Sequence, residues 1–258
     1  MALPPRSDWF IVPAPKTPPR LRLFCFAYAG GTAAQYAPWV DQLDDSIELV
    51  AVQLPGRANR LFEAPYHSMT PLVKDLATAM TPWLTVPYAF FGHSLGSRVA
   101  LSVAQHLAQH NIATPEYFIA SGSNAPHLSR PKRNVWSLPT PQFIDELKRL
   151  NGTPAEILQN KELMELHLPM LRADFRLADT RFPVPQKTLR STAWVFAGVD
   201  DIDQPEEELL QWGDFFDNRV RLEMFEGAHF FVDTQRAEVV RQVNNILTAA
   251  SPRAIQAI

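Results

Sequence analysis

The chain has 258 residues, 46% hydrophobic and 20% charged, which fits one large globular domain or two small ones. Its 24 basic and 27 acidic residues leave a net charge of -3, against the basic excess expected of a nucleic-acid or anionic-membrane binder. A single cysteine excludes a disulfide framework and a multi-cysteine zinc site, and 23 prolines against 10 glycines suggest that glycine is kept where the backbone needs it.

Six prolines fall between Pro4 and Pro19, so residues 1–20 read as an extended arm. Trp9, Phe10, Ile11 and Val12 are expected to dock it on the body. No basic start followed by an apolar segment suggests a signal peptide, and no apolar run has membrane-spanning length. With one unpaired cysteine, the expectation is a cytoplasmic protein. Cys25 lies in an apolar run and reads as a buried strand thiol.

Short apolar runs bounded by Gly, Pro or Ser predict strands at Leu21–Tyr28, Ile47–Gln53, Tyr88–Phe91, Tyr117–Ala120, Ala193–Ala197 and Val220–Phe225. Amphipathic segments predict helices at Ala34–Leu43, Pro71–Leu84, Leu95–His110 and Arg236–Ala249. Alternating strand and helix imply a mostly parallel sheet covered on both faces. Between residues 130 and 185 no strand is predicted. Helices are expected there at Pro139–Leu150, Pro154–Gln159 and Lys161–Asp179, forming a lid-like insertion into a core made of residues 21–129 and 186–258.

Gly92-His93-Ser94-Leu95-Gly96 sits between a predicted strand and a long helix, the context of a nucleophile elbow. Glycines flank Ser94 because the turn is too tight for side chains. The Leu95 N–H then points to where an oxyanion would form. Serine needs a base, and His229, between the last strand and the last helix, is the candidate. His93 reads as a packing residue, and His106 and His110 as a solvated helix face. An acid should follow the strand at Ala193–Ala197, where spacing alone leaves Asp200, Asp201 and Asp203 open. Tyr28-Ala29-Gly30-Gly31 closes the first strand and lets backbone approach a substrate carbonyl. Of the ten glycines only Gly152 and Gly213 fall outside predicted site loops, sharp turns and strand ends.

Taken together, these blocks resemble the type II (external, editing) thioesterases of nonribosomal peptide and polyketide synthesis, which are α/β-hydrolases. The resemblance rests on Tyr28-Ala29-Gly30-Gly31, Leu54-Pro55-Gly56-Arg57, the elbow, Leu168-Pro169-Met170-Leu171-Arg172-Ala173-Asp174-Phe175, Gly198 with Asp201, and Gly227-Ala228-His229-Phe230-Phe231. It implies Ser94, Asp201 and His229 as the triad, with the Ala29 and Leu95 amides as the oxyanion hole. Ala27 and Leu95 stand where the family often has proline and methionine. The implied activity is hydrolysis of stalled or aberrant acyl groups from the phosphopantetheine arm of carrier-protein domains. No metal or organic cofactor, nucleic acid or membrane is implied, and a monomer is expected. Arg130, Lys132 and Arg133 are candidates for meeting an acidic carrier protein. The same triad would serve a carboxylesterase or an acyltransferase, and a catalytically dead docking partner is the alternative of another class.

Overall fold

The computed structural model describes residues 7–128, 134–183 and 187–249. Its strands and helices, in chain order, are β1 (Phe10–Ile11), β2 (Leu21–Phe26), β3 (Ile47–Val52), α1 (Met69–Met80), β4 (Tyr88–His93), α2 (Leu95–Gln109), β5 (Tyr117–Ser121), α3 (Thr140–Leu150), α4 (Ala155–Gln159), α5 (Lys161–Ala178), β6 (Thr192–Gly198), α6 (Glu206–Leu210), β7 (Arg221–Phe225), α7 (Phe231–Thr234) and α8 (Arg236–Thr248). The six predicted strands and the long helices are present, with ends shifted by a few residues. Ala33–Trp39 is a 3-10 helix rather than the longer helix expected. Pro38 lies inside it and cannot donate to a continuing ladder. The arm adds a short strand, β1, which the proline content concealed. It pairs antiparallel with β3, Phe10 facing Val52.

The seven strands lie in the order β1-β3-β2-β4-β5-β6-β7, all parallel except β1. Each central strand is buried along its length and alternates between two cores, as a period of two requires. Phe24, Phe90, Phe118 and Val195 pack against α1 and α2 through Leu72, Leu76, Val99 and Val103. Leu23, Cys25, Phe91 and Phe196 pack on the opposite face against Tyr36, Trp39, Val239 and Val243. The fold is the expected α/β arrangement.

From β2 the chain winds outward to β3, then crosses to the other side of β2 to form β4. The loops leaving β2 and β4 therefore diverge at the carboxyl edge and open a crevice, the usual ligand position in such sheets. The segment from α3 to α5 has a small core of its own, formed by Phe143, Leu147, Met164, Met170 and Leu171. No helix among the described residues is long and apolar enough to cross a membrane.

Arg22 Nε donates to Glu48 Oε2 at 2.6 Å, linking β2 to β3, and its Nη1 donates to the Trp83 carbonyl at 2.6 Å. Both charged side chains are almost wholly buried, so removing one strands the other. Arg22→Met is expected to lower unfolding free energy by about 3–5 kcal/mol, as read by urea denaturation.

Candidate active site

β4 runs straight into α2 through Ser94, which adopts φ 54° and ψ -116°. This is a strained conformation for a residue with a side chain. It is held by the Ser94 N–H donating to the Ser121 carbonyl at 2.7 Å and by the Ser97 N–H donating to the Ser94 carbonyl at 3.1 Å. The flanking glycines are required by contact. A Cβ on Gly92 would lie 2.5 Å from the Gly96 backbone, and one on Gly96 would lie 2.0 Å from the Phe26 carbonyl oxygen. Ser94 thus stands half-buried at the mouth of the crevice, at the N-terminus of a helix.

His229 follows β7. Its Nδ1 lies 2.9 Å from Asp201 Oδ2, in the turn after β6. A carboxylate can only accept, so Nδ1 carries the proton and Nε2 is the ring nitrogen left with a lone pair. Of the three aspartates that spacing left open, Asp201 is the one whose carboxylate meets His229; Asp200 is exposed. The two loops can touch because Gly198 has no side chain: a Cβ there would meet the Gly227 carbonyl oxygen at 2.4 Å.

Ala29 lies in the loop after β2. The next two amides are engaged, Gly30 with Asp174 Oδ2 at 2.8 Å and Gly31 with the Tyr28 carbonyl at 2.9 Å. Among the described residues no acceptor lies on the Ala29 N–H. Leu95 opens α2, and its N–H is one of the helix-start donors that no turn of the helix can satisfy. Ser94, Leu95, Asp201 and His229 line one cavity of about 660 Å³, closed on another side by Leu150, Ala178 and Thr180 of the helical insertion and its exit.

A family model for the thioesterase domain matches residues 21–247. The protein is 34% identical over 245 residues to the thioesterase PikA5 of Streptomyces venezuelae, covering 94% of this chain and 86% of that one. It is 33% identical over 244 residues to LgrE of Brevibacillus parabrevis, described as a linear gramicidin dehydrogenase, covering 93% of each. The structure of BorB, a type II thioesterase from the borrelidin biosynthetic cluster, superposes with a TM-score of 0.84 at 30% identity, covering 93% of this chain and 98% of that one. The chain belongs to the thioesterase family. The fold and the thioester-hydrolysing activity expected from the resemblance are both borne out.

Two polar residues of the thioesterase's crevice were not singled out in the sequence. Gln204 is buried beside the histidine, with Nε2 3.2 Å from His229 Nδ1 and an Oε1 that has no partner. Turning the amide over would set that oxygen against the Nδ1 proton. Asn124 donates to the Asp203 carbonyl at 2.8 Å and lines the same cavity. Both lie in loops whose polar composition looks ordinary. Gly152 also belongs here: a Cβ on it would strike the Phe230 ring at 2.3 Å, so the insertion touches the histidine loop through this glycine. Four other histidines lie elsewhere. His106 and His110 lie ring to ring at the C-terminal end of α2, tilted by 34°, His167 bonds its own helix, and His127 meets Asp214. Arg130, Lys132 and Arg133 lie outside the described residues.

His93 is fully buried, and its Nδ1 sits 2.9 Å from Ser121 Oγ. Gly122 makes room for the ring, since a Cβ there would come within 2.4 Å of it. Burial, with the neighbouring His229 adding to it, pushes its pKa well below the usual histidine range. The unfolded chain therefore binds a proton at this position that the folded one refuses. Stability from this group is full above about pH 6.5 and is lost as pH falls below it. His93→Gln is expected to flatten the loss of urea stability between about pH 7.5 and about pH 5.5; an unchanged slope would contradict a neutral His93.

Proposed function

We propose that this thioesterase is a serine enzyme that clears stalled or aberrant acyl groups from the phosphopantetheine arm of carrier-protein domains in nonribosomal peptide and polyketide synthesis. Ser94 is the nucleophile, His229 the general base and Asp201 the acid that orients it. The observation that carries this reading is the 2.9 Å contact of His229 Nδ1 with Asp201 Oδ2, in a cavity shared with an elbow serine. Relatives and structural neighbours named for linear gramicidin and borrelidin pathways support the biosynthetic setting. No two of the ten glycines stand two residues apart, so the chain lacks the G-x-G-x-x-G turn for a dinucleotide. The dehydrogenase of the LgrE description is therefore not carried over.

Ser94 Oγ attacks the thioester carbonyl carbon while His229 Nε2 takes its proton. The carbonyl oxygen becomes an oxyanion facing the Ala29 and Leu95 amides. When the tetrahedral intermediate collapses, the C–S bond breaks and the pantetheine sulfur leaves with the proton from His229. Water then attacks the acyl-Ser94 ester, His229 again takes a proton, and the free acid departs as Ser94 is reprotonated. These steps use only side chains, backbone amides and water, all from one chain, which suits a monomer. The helical insertion covers the cavity, with its α3 and α4 side serving as the lid. A cavity of about 660 Å³ holds an acyl group of modest size.

Ser94→Ala is expected to reduce turnover of an acyl-carrier-protein thioester by roughly 10³-fold or more without lowering the unfolding midpoint. Hydrolysis near the wild-type rate would remove Ser94 as nucleophile. A preference for a simple aryl ester over the carrier thioester, or acyl transfer to an added alcohol or amine, would instead favour a carboxylesterase or an acyltransferase.

A further inference from the structure

Two of the motifs in the sequence meet outside the triad, behind the loop after β2. Arg57, from Leu54-Pro55-Gly56-Arg57, forks onto Asp174 of α5: Nη1 donates to Oδ2 at 2.6 Å and Nη2 to Oδ1 at 2.7 Å. The side chains are 3% and 1% exposed. Asp174 Oδ2 accepts a second bond, from the Gly30 N–H at 2.8 Å. Arg57 Nη1 also donates to the Gly31 carbonyl at 3.2 Å. One ion pair thus grips both glycines of the loop after β2. The helix presses on the same loop, since a Cβ on Gly30, at φ +80°, would lie 2.8 Å from Leu171 Cδ2.

A buried ion pair is a poor way to add stability, because desolvation consumes most of the Coulomb gain. It is a good way to hold geometry, because a bidentate fork admits few orientations. The loop it holds needs such a tether. Two consecutive glycines leave the backbone conformationally free, and in the proposed reaction the adjacent Ala29 amide must stand ready for an oxyanion. A displacement of about 1 Å in such a group can cost about 10²-fold in rate.

We propose that Asp174, locked by Arg57, is a positioning residue for the oxyanion loop, so that α5 of the insertion forms a fixed wall of the active site and does not lift away with a lid. This rests on the reading of Ser94 as nucleophile and the Ala29 amide as an oxyanion donor. It assigns the Leu-Pro-Gly-Arg turn and α5 one shared task that neither performs alone.

The test replaces the pair by apolar residues, Arg57→Met with Asp174→Leu, alongside Asp174→Asn and a Ser94→Ala control. Removing both charges together avoids stranding one, so the double variant is expected to unfold near the wild-type midpoint. Its kcat on an acyl-carrier thioester is expected to fall about 10²-fold with KM within about twofold. Its affinity for a trifluoromethyl ketone analogue, whose tetrahedral adduct carries the oxyanion, should fall by about the same factor as kcat/KM. Asp174→Asn keeps the side-chain shape and should show the same split in smaller measure, so the proposal is tested even if the double variant does not fold. Wild-type kcat and ketone affinity in a folded Asp174 variant, with Ser94→Ala inactive, would overturn the clamp alone. An active Ser94→Ala would instead remove the underlying reading and the clamp with it.

Discussion

Everything in the site depends on how closely α2 approaches the end of β2. The Gly96 backbone lies so near the Phe26 carbonyl that a methyl group there would sit 2.0 Å from the oxygen. That contact sets the start of α2 beside the loop that leaves β2. It brings the Leu95 amide, the Ser94 side chain and the Ala29 amide to one edge of the sheet, at the point where strand order reverses between β2 and β4. Two parallel strands side by side would not suffice, because their loops diverge there. The missing side chain at Gly96 is what lets the two loops converge.

The same economy recurs at each junction. Gly198 lets the acid loop rest on the histidine loop, Gly122 makes room for the buried His93 ring, and Gly152 lets the insertion rest on Phe230. The insertion is joined to the core in two different ways. α5 is tied to the loop after β2 by charge and packing through Asp174 and Leu171. α3 adds Phe143 and Leu147 to the small core shared with α5, and Gly152, just past its end, rests on Phe230 by apolar contact. A roof with one bolted side and one resting side can admit a flexible pantetheine arm while the reacting end of the cavity keeps its shape.

Much of this was legible in the sequence, for physical reasons that differ by element. The central strands could be read because burial on both faces makes them continuous apolar runs, as in Leu21–Phe26 and Tyr88–Phe91. The elbow, the histidine loop and the helical insertion could be read from glycine placement and from the break in alternation. The edge strand Phe10–Ile11 could not, because two residues in a proline-rich arm carry no periodicity, and only pairing with β3 makes them a strand. Spacing could not separate Asp200, Asp201 and Asp203 either, since one turn carries all three and only side-chain direction decides. Gln204, Asn124 and the Arg57–Asp174 fork were out of reach for a related reason. Their partners lie far away in sequence, and a polar residue in a loop or on a helix gives no sign of what it will meet.

In the proposed mechanism, hydrolysis is a two-step passage through an ester on Ser94, prepared by His229, whose tautomer Asp201 fixes. The most direct measurement is mass spectrometry of enzyme quenched in acid during turnover of an acyl-carrier-protein thioester, followed by peptide mapping. The account predicts the acyl mass on the peptide that contains Ser94 and on no other. An acyl group on Cys25, whose thiol burial pushes well above its ordinary pKa, or on any residue other than Ser94 while turnover proceeds, would contradict it.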